Sequence, residues 1–233
     1  MGLRSTTRRS DSPWVDAVWT CTSDRIEEMT SVATARWGLV FWEREGQAHA
    51  GVTGPETAAS PAPVPAEATF VGIHFAIGTV LRGLPGSSLV DGGVDLVDTT
   101  HRYFRLAGSR WPTPGADDAE ALVERLVRDG AVARDPVVGE VLRGGRPPLS
   151  ERTLERRFRT TTGLTRGAVR QIERVHEAVD LLVVGKAPAE VATSLGYFDQ
   201  PHLARALRRY VGRTSTQLRE GTGGALSLDL PQR

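Results

Sequence analysis

Side chains that can hydrogen-bond to DNA bases recur at helical spacing in the C-terminal third of this 233-residue chain. There, Gly196 ends a short apolar helix, and Asp199 is suited to cap the helix that follows. Arginine can pair with guanine O6 and N7 and glutamine with adenine N6 and N7, whereas arginines near a helix's C-terminal end suit phosphates. The segment therefore predicts a helix-turn-helix whose second helix enters the major groove. The outer face of that helix carries the candidate DNA contacts Gln200, His202, Arg205, Arg208 and Arg209.

A second helix of this type is predicted earlier in the chain. Ser150 caps it, Leu154 and Phe158 face inward four residues apart, and Gly163 ends it. We include the cap Ser150 among the candidate DNA-binding residues. The outer face of this helix adds Arg152, Glu155, Arg156 and Arg159.

The two helices expected to contact DNA bases, at 150–160 and 199–210, are called the reading helices. A long amphipathic helix, expected at residues 166–184, separates them. Its apolar positions, among them Val169, Ile172 and Val175, recur at helical spacing on one face. At ~1.5 Å per residue the helix is ~28 Å long, close to the ~34 Å of one DNA turn. A rod of this length can hold the two reading helices in successive major grooves on one face of the duplex.

The net charge of +1 conceals an asymmetry between the two halves of the chain. Residues 1–135 hold 13 arginines against 18 acidic residues, whereas residues 136–233 hold 15 arginines and one lysine against 10 acidic residues. A basic C-terminal half indicates a polyanionic partner. A solvated arginine-rich surface gives the same balance, so charge alone favours neither interpretation.

Several short motifs also follow one another in the order and spacing of a known family. They are the stretch 150–158 (SERTLERRF), Thr162-Gly163-Leu164, Glu190-Val191-Ala192, the stretch 195–205 (LGYFDQPHLAR), Gly212-x-Thr214 and Leu218-Arg219. This run resembles the AraC/XylS family of bacterial transcriptional regulators. The resemblance implies that the helices at 150–160 and 199–210 enter adjacent major grooves. It places base contacts at Arg152, Glu155, Arg156, Gln200, Pro201 and Arg205.

The chain departs from the family pattern at a few positions. Leu207 stands where the family usually has Phe, and Ser215 where it usually has Pro. The Gly144–Pro148 turn before the first reading helix is longer and stiffer than usual, because each proline fixes a φ angle. We expect the first helix to discriminate sequence less than the second; the alternative is that the proline turn sets a different but equally rigid angle.

Residues 14–110 read as short strands. Stretches rich in β-forming residues predict strands at 14–22, 37–42, 47–52 and 69–75, separated by a loop at 54–68 that is rich in proline and alanine. Many short strands with turn signals indicate a small β-sandwich or barrel. The motif around Gly54-Pro55, with Val71-Gly72-Ile73-His74-Phe75, is weakly similar to cupin-like N-terminal domains of some members of that family. This similarity implies a small-molecule effector bound inside a small barrel.

These observations predict an α+β protein in four parts. Residues 1–13 form a disordered basic arm, and residues 14–115 form a β-rich sensor or dimerisation domain that ends at a proline- and glycine-rich break. Residues 116–221 form an all-α DNA-binding domain with two helix-turn-helix units, preceded by helices at 117–128 and after Asp135. Residues 222–233 form a loose tail.

Neither a metal site nor a catalytic centre stands out. The N-terminal histidines His49, His74 and His101 include no His-x-His pair, so we expect no metal and no cofactor. No nucleophile elbow, P-loop or dinucleotide fingerprint is present, and Cys21 reads as a core residue. Five tryptophans could line an apolar pocket, although a role in the core of the sheet is favoured: Trp14, Trp19, Trp37, Trp42 and Trp111.

The sequence therefore predicts a cytoplasmic, non-enzymatic activator or repressor that binds operator DNA. This interpretation allows three further partners, which are a small-molecule effector, RNA polymerase and a second copy of the chain. No membrane partner is expected. The first alternative is a β-barrel enzyme fused to a DNA-targeting helical domain, which a stoichiometric catalytic metal would favour. The second is a structural DNA-binding protein without preference for an operator.

Overall fold

A computed structural model describes residues 3–24 and 27–227. An antiparallel β-sheet region comes first and a helical region follows, which confirms the α+β class. Within the described residues no helix has the length and apolar character to cross a bilayer.

The sheet region contains twelve strands within the described residues. They are β1 (Arg4–Arg9), β2 (Val15–Ser23), β3 (Glu27–Ser31), β4 (Gly38–Arg44), β5 (Gln47–Thr53), β6 (Ser60–Val64), β7 (Ala68–Phe75), β8 (Thr79–Leu81), β9 (Gly93–Asp95), β10 (Tyr103–Leu106), β11 (Ser109–Pro112) and β12 (Val132–Arg134). The six-stranded sheet has the order β1-β2-β7-β4-β5-β9, and neighbouring strands in it are all antiparallel. Three two-stranded ladders pair β3 with β6, β8 with β12 and β10 with β11.

The described residues also contain seven α-helices, and several of them begin at the caps that the sequence predicts. Asp135, Ser150 and Asp199 each accept a hydrogen bond from a backbone N–H in the first turn of their helix, which satisfies donors that would otherwise lack a partner. Thr214 forms a reciprocal capping box with Gln217. The helices are α1 (Ala119–Arg128), α2 (Pro136–Leu142), α3 (Glu151–Thr162), α4 (Arg166–Val183), α5 (Pro188–Ser194), α6 (Gln200–Tyr210) and α7 (Ser215–Glu220).

One face of the main sheet is covered by α1 and by the β10–β11 hairpin. Trp37 stacks on Phe75 with ring centroids 3.8 Å apart, and Phe41 meets Phe104 edge-on at 4.9 Å. The inward face of α1 joins the same buried cluster through Leu122, Val123 and Leu126. Aromatic pairs of this kind add to the hydrophobic stabilisation that burial alone provides.

The boundary predicted at residue 116 is therefore wrong. Helix α1 packs in the core of the sheet, and β12 pairs with β8, so the β-rich region extends to about Arg134. The amphipathic pattern of α1 specifies that one face is buried but not which surface covers it.

The structure also corrects three expectations of disorder or loop. Arg4–Arg9 is a strand paired with β2 along its whole length, although all six of its residues are exposed. Strand β6 lies within the stretch 54–68 predicted to be a loop; its two prolines can be accommodated because strands at a ladder's edge need fewer N–H donors. The predicted tail at 222–233 is held as far as Ser227, whose N–H donates to the carbonyl of Thr30 at 3.0 Å. Residues 1–2 and 228–233 lie outside the described part of the chain.

The β-rich and helical regions share their apolar cores. Val32 is buried among residues of α4, α5, α6 and α7, and Ala33 and Ala35 are buried with Val169 and Ile172 of α4. The N–H of Ala33 donates to the carbonyl of Tyr210 at 2.8 Å, and the N–H of Ala59 donates to that of Arg209 at 2.9 Å. The segment after β3 and the loop before β6 therefore hold the C-terminal end of α6.

A partly buried ion-pair group joins the main sheet to the middle of α4. The Arg36 guanidinium donates to both carboxylate oxygens of Glu173, at 2.6 and 2.8 Å, and its Nε lies 2.8 Å from the carboxylate of Asp16 in β2. Burial opposes the charge of Arg36, but the two carboxylates outweigh it and raise the pKa of the guanidinium. Because the Glu173 side chain is partly exposed, water screens this pair, and its main structural effect is to position α4 against the segment before β4.

Two histidines lie beside this pair and are kept neutral by their surroundings. Desolvation and the nearby Arg36 charge lower the pKa of His74 to about 4. Burial also lowers the pKa of His176, whose Nε2 lies 2.7 Å from the carbonyl oxygen of Ala33. A neutral Nε2–H can donate to that carbonyl, so the contact holds α4 to the segment after β3.

The C-terminal end of α3 rests directly on backbone of the β-rich region. Gly86 begins a short 3₁₀ turn, and a Cβ added there would lie 2.5 Å from the carbonyl oxygen of Thr161. A Cβ at Gly163, whose φ is +79°, would lie 2.6 Å from Val90 and 2.7 Å from the Gly86 carbonyl oxygen. Two glycines therefore allow the backbones of loop 86–90 and of the end of α3 to meet.

This close approach predicts that Gly86→Ala destabilises the protein. The added methyl group must push the loop away from α3, and overpacking of this kind costs about 1–3 kcal/mol. Gly92→Ala is the matched control, since a Cβ there meets nothing nearer than 3.9 Å. Urea denaturation should show a lower free energy of unfolding for Gly86→Ala alone; equal stabilities would show that the contact is not tight in solution.

Candidate DNA-binding surface

The first helix-turn-helix unit consists of α2, the turn 143–150 and α3. Within the turn, the N–H of Gly145 donates to Glu140 at 2.9 Å and that of Leu149 to Pro147 at 2.7 Å, and Pro147 is buried. The long turn is thus hydrogen-bonded to α2 and packed. This observation favours the alternative that the turn sets a rigid angle over the expectation of a poorly braced first helix.

Asp135 fastens the two helices of the first unit. One of its oxygens caps α2 by accepting from the N–H groups of Val137 and Val138, at 2.9 and 3.1 Å. The Arg157 guanidinium of α3 donates to both oxygens at 2.9 and 2.7 Å, and the Thr161 hydroxyl donates at 3.2 Å. Partial burial opposes ionisation, but these hydrogen bonds keep the pKa of Asp135 below its ordinary value.

Arg166 ties the start of α4 to the acidic side of α3. Its guanidinium lies 2.9 Å from the carboxylate of Glu151 and 3.8 Å from that of Glu155. Glu155, a predicted base contact, is half-buried within this ion-pair group. The pairing offsets negative charge that would otherwise repel a phosphate backbone.

The second unit consists of α5, a short turn and α6. Gly196 in the turn has φ of +69°, a left-handed conformation that glycine adopts without steric cost. Tyr197 after it is buried, and the Arg174 guanidinium of α4 stands 4.3 Å over its ring. The Asp199 carboxylate then caps α6 by accepting from the N–H of His202 at 2.7 Å.

His202 is engaged within the second unit. Its Nδ1 accepts from the N–H of Phe198 at 3.3 Å, and its ring lies edge-on to that of Tyr197 at 5.2 Å. Ser150 is similarly engaged, since its hydroxyl oxygen accepts from the N–H of Thr153 at 3.2 Å. Both residues shape the starts of the reading helices, and a DNA contact from either remains a prediction.

Outward-facing side chains, five arginines and one proline, form matching exposed stripes on the two helices. The buried side chains include Leu154 and Phe158 on α3, and Leu203 and Leu207 on α6. Positions about 160° away around each helix therefore face outward. Each helix then presents three outward positions at the spacing i, i+4, i+7. These are Arg152, Arg156 and Arg159 on α3, and Pro201, Arg205 and Arg208 on α6, and all six residues are exposed.

Gln200 and Arg209 flank the stripe of α6 and are also exposed. Gln200 lies at the first position of α6, where a side chain of a reading helix can reach base edges. The Arg209 guanidinium stands 5.1 Å over the ring of Tyr210, close to where α6 meets the β-rich region. It occupies the last turn of the helix, as predicted for a phosphate contact.

A comparison with known families adds to this geometry. A family model for a helix-turn-helix domain matches residues 148–221, which include helices α3 to α7. Residues 148–221 form an AraC-type helix-turn-helix domain. Such a domain implies a DNA-binding transcriptional regulator, and the family resemblance predicted from the motifs is confirmed for this part of the chain. No curated protein matches the chain, and no solved structure matches it.

The three N-terminal histidines are distributed through the β-rich region. His49 stacks on Trp42 at 5.1 Å, His101 lies 3.3 Å from Glu43, and His74 lies beside Trp19. Within the described ranges, no three His, Cys, Asp or Glu side chains lie close enough together to hold a metal ion.

Two of the five tryptophans that could line an effector pocket, Trp37 and Trp111, lie in the core. The Trp37 indole donates to the Thr79 hydroxyl at 2.9 Å, and that of Trp111 donates to the Leu106 carbonyl at 3.0 Å. Both rings are buried, which confirms a core role for these two residues. A concavity of about 550 Å³ lies at the surface near Trp14 and Glu120 rather than inside the sheet.

Two features of this surface were not predicted from the sequence. The first is the Asp135–Arg157 pair, whose partners lie 22 positions apart and carry no local signal. The second is Phe198, which is 92% exposed immediately before the cap of α6. Its position could be noticed in the sequence, but its exposure depends on how the turn packs.

The Asp135 contacts predict that Asp135→Ala lowers stability more than loss of an ordinary cap. The variant loses the cap of α2, a change that costs about 0.5–2 kcal/mol, and it also frees Arg157. Asp118→Ala is the matched control, because Asp118 stands at the N-cap of α1 without a side-chain capping bond. Thermal unfolding should show a clearly lower Tm for Asp135→Ala than for the control. Equal Tm values would mean that the pair does not hold α2 to α3.

Proposed function

We propose that the protein is a sequence-specific DNA-binding transcriptional regulator whose helices α3 and α6 enter successive major grooves. The observation that carries this proposal is the matched pair of exposed stripes, Arg152-Arg156-Arg159 and Pro201-Arg205-Arg208. Two helices with a side-chain cap at the same position, the same buried spacing and the same outward spacing are suited to make the same type of contact. Helix α4, with 18 residues, is ~27 Å long and separates them by about the length of one DNA turn.

Individual side chains have different roles in this proposal. Arg156 and Arg205, at the middle of each stripe, suit bidentate pairing with guanine, and Gln200 suits adenine. Arg159, Arg208 and Arg209 lie in the last turns of their helices and suit phosphates, which set affinity and register. The uncharged Pro201 stands where Arg152 stands on α3, so we infer that the two helices prefer different bases.

The β-rich region has a regulatory role in the same proposal. It contacts α3 through loop 86–90, α4 through Arg36, and α6 through Ala33 and Ala59. A small-molecule effector that binds this region acts on DNA binding by changing these contacts, since a ligand shifts a conformational equilibrium only through different affinities for its states.

Selection of binding sites from random DNA tests the proposal. A regulator of this type should enrich one motif with two elements about one helical turn apart. It should bind a duplex that carries this motif ~10³-fold or more tightly than random DNA at the same salt concentration. Failure to enrich any motif, with strong binding to random DNA, would instead indicate a structural DNA-binding protein.

On the selected site, Arg205→Ala and Arg208→Ala should weaken binding in different ways. Arg205→Ala should lose about 1–3 kcal/mol of discrimination at one base pair in the element read by α6. Arg208→Ala should weaken specific and random DNA alike and reduce the slope of log K against log salt by about one. Both residues are exposed on the same helix, so each variant controls for the other. The same uniform loss from both variants would contradict the assignment of Arg205 as a base contact.

A further inference from the structure

Each reading helix is preceded by an exposed large apolar side chain. Phe198 is 92% exposed and stands one residue before Asp199, the cap of α6. Leu149 is 39% exposed and stands one residue before Ser150, the cap of α3. Leu149 and Phe198 therefore occupy the same position relative to the caps of α3 and α6, so the feature is repeated in both units.

The usual structural role of an apolar residue at this position does not account for Phe198. A hydrophobic residue before an N-cap often packs against the fourth helical residue, which fixes the entry of the chain into the helix. In α6 that fourth residue is Leu203, which is 1% exposed and belongs to the helical core. The ring of Phe198 is nevertheless left almost wholly in water, so this packing is not made.

The backbone that carries Phe198 is firmly held. Its N–H donates to Nδ1 of His202, and its neighbour Asp199 caps the helix. The preceding residue, Tyr197, is buried between Arg174 and the ring of His202. An exposed ring on a held backbone is suited to a fixed contact, because little backbone freedom is lost when a partner binds.

The surroundings of the ring favour DNA as that partner. Phe198 lies at the N-terminal end of α6, the end of a reading helix that approaches base edges. The exposed residues that follow it on α6 include Gln200, Arg205 and Arg208 and no carboxylate, so the surface suits a polyanion. In the major groove, thymine is distinguished by its 5-methyl group, an apolar feature that a phenyl ring can contact.

Building on the proposed function, we propose that Phe198 is a specificity-determining residue that packs on the 5-methyl group of a thymine. The thymine lies at the edge of the element read by α6. Phe198 adds a preference for thymine beside the base pairs that Gln200 and Arg205 contact.

Deoxyuridine substitution tests this contact, because deoxyuridine pairs as thymine does but lacks the methyl group. The probe is the duplex enriched from random DNA by the unaltered protein. Each thymine in the element that loses discrimination in Arg205→Ala is replaced in turn by deoxyuridine. Binding is measured for the unaltered protein and for Phe198→Ala. Val97→Ala is the control for loss of an exposed apolar side chain, since Val97 is 75% exposed in the β-rich region.

At one thymine, the unaltered protein should lose about fourfold in affinity on replacement, the equivalent of one buried methyl group at ~0.8 kcal/mol. Phe198→Ala should bind the thymine and deoxyuridine duplexes equally, whereas Val97→Ala should behave as the unaltered protein does. The Phe198 side chain is exposed, so the variant should fold normally, and matching circular dichroism spectra and Tm values check this.

Two results would overturn the inference while leaving the proposed function in place. In one, Phe198→Ala shows the same thymine preference as the unaltered protein at every position, so the ring does not read a methyl group. In the other, Phe198→Ala weakens all duplexes alike with its deoxyuridine sensitivity unchanged, which places the ring on the sugar-phosphate backbone. If no motif is enriched at all, the proposed function fails and the inference fails with it.

Discussion

The apolar cores of the helical half are completed by Val32, Ala33 and Ala35, which belong to the β-rich half. Residues 148–221 match a helix-turn-helix domain in sequence. In the folded protein, however, the apolar core of these helices also includes side chains from the segment after β3. The partly buried Arg36–Glu173 pair lies next to this shared core and links the sheet to the middle of α4. Packing and charge therefore act on the same part of the long helix, and separating the two halves exposes apolar surface and leaves a charge without its partner.

This shared core determines how the reading helices are presented. The C-terminal end of α3 rests on loop 86–90, and the C-terminal end of α6 is hydrogen-bonded to Ala33 and Ala59. Their exposed stripes are therefore carried on helices fixed at the ends farthest from the predicted base contacts. A binding surface fixed before it meets DNA loses less conformational entropy on binding. The same contacts give the β-rich half a physical route to influence both helices.

Local chemistry made the helical half predictable. Ser150 and Asp199 have the side chains that N-caps require, and Gly163 and Gly196 take the left-handed conformations that end helices and turns. Leucine and phenylalanine at a spacing of four residues then identified the buried faces. These signals lie within a few residues of one another, so the sequence alone places the elements and most outward-facing site residues.

The remaining features depend on contacts between distant residues. Strand β1 has no apolar alternation because all its side chains are exposed, and only pairing with β2 makes it a strand. Helix α1 shows an apolar face in the sequence, but the sheet that covers it comes from residues 15–111. The exposure of Phe198 likewise follows from the burial of its neighbours Tyr197 and Leu203. Periodicity could not have specified any of these three features.

The central claim is that the two reading helices are held at one fixed separation, and spacing variants of the selected DNA site test it most directly. Affinity is measured for duplexes with 5 or 10 extra base pairs between the two elements. The 10-base-pair insertion returns both elements to the same face of the DNA, because the duplex has ~10–10.5 base pairs per turn. A fixed separation predicts that both insertions reduce affinity to that of a duplex carrying one element alone. Undiminished affinity after the 10-base-pair insertion would show that the helices move independently, and would contradict the account.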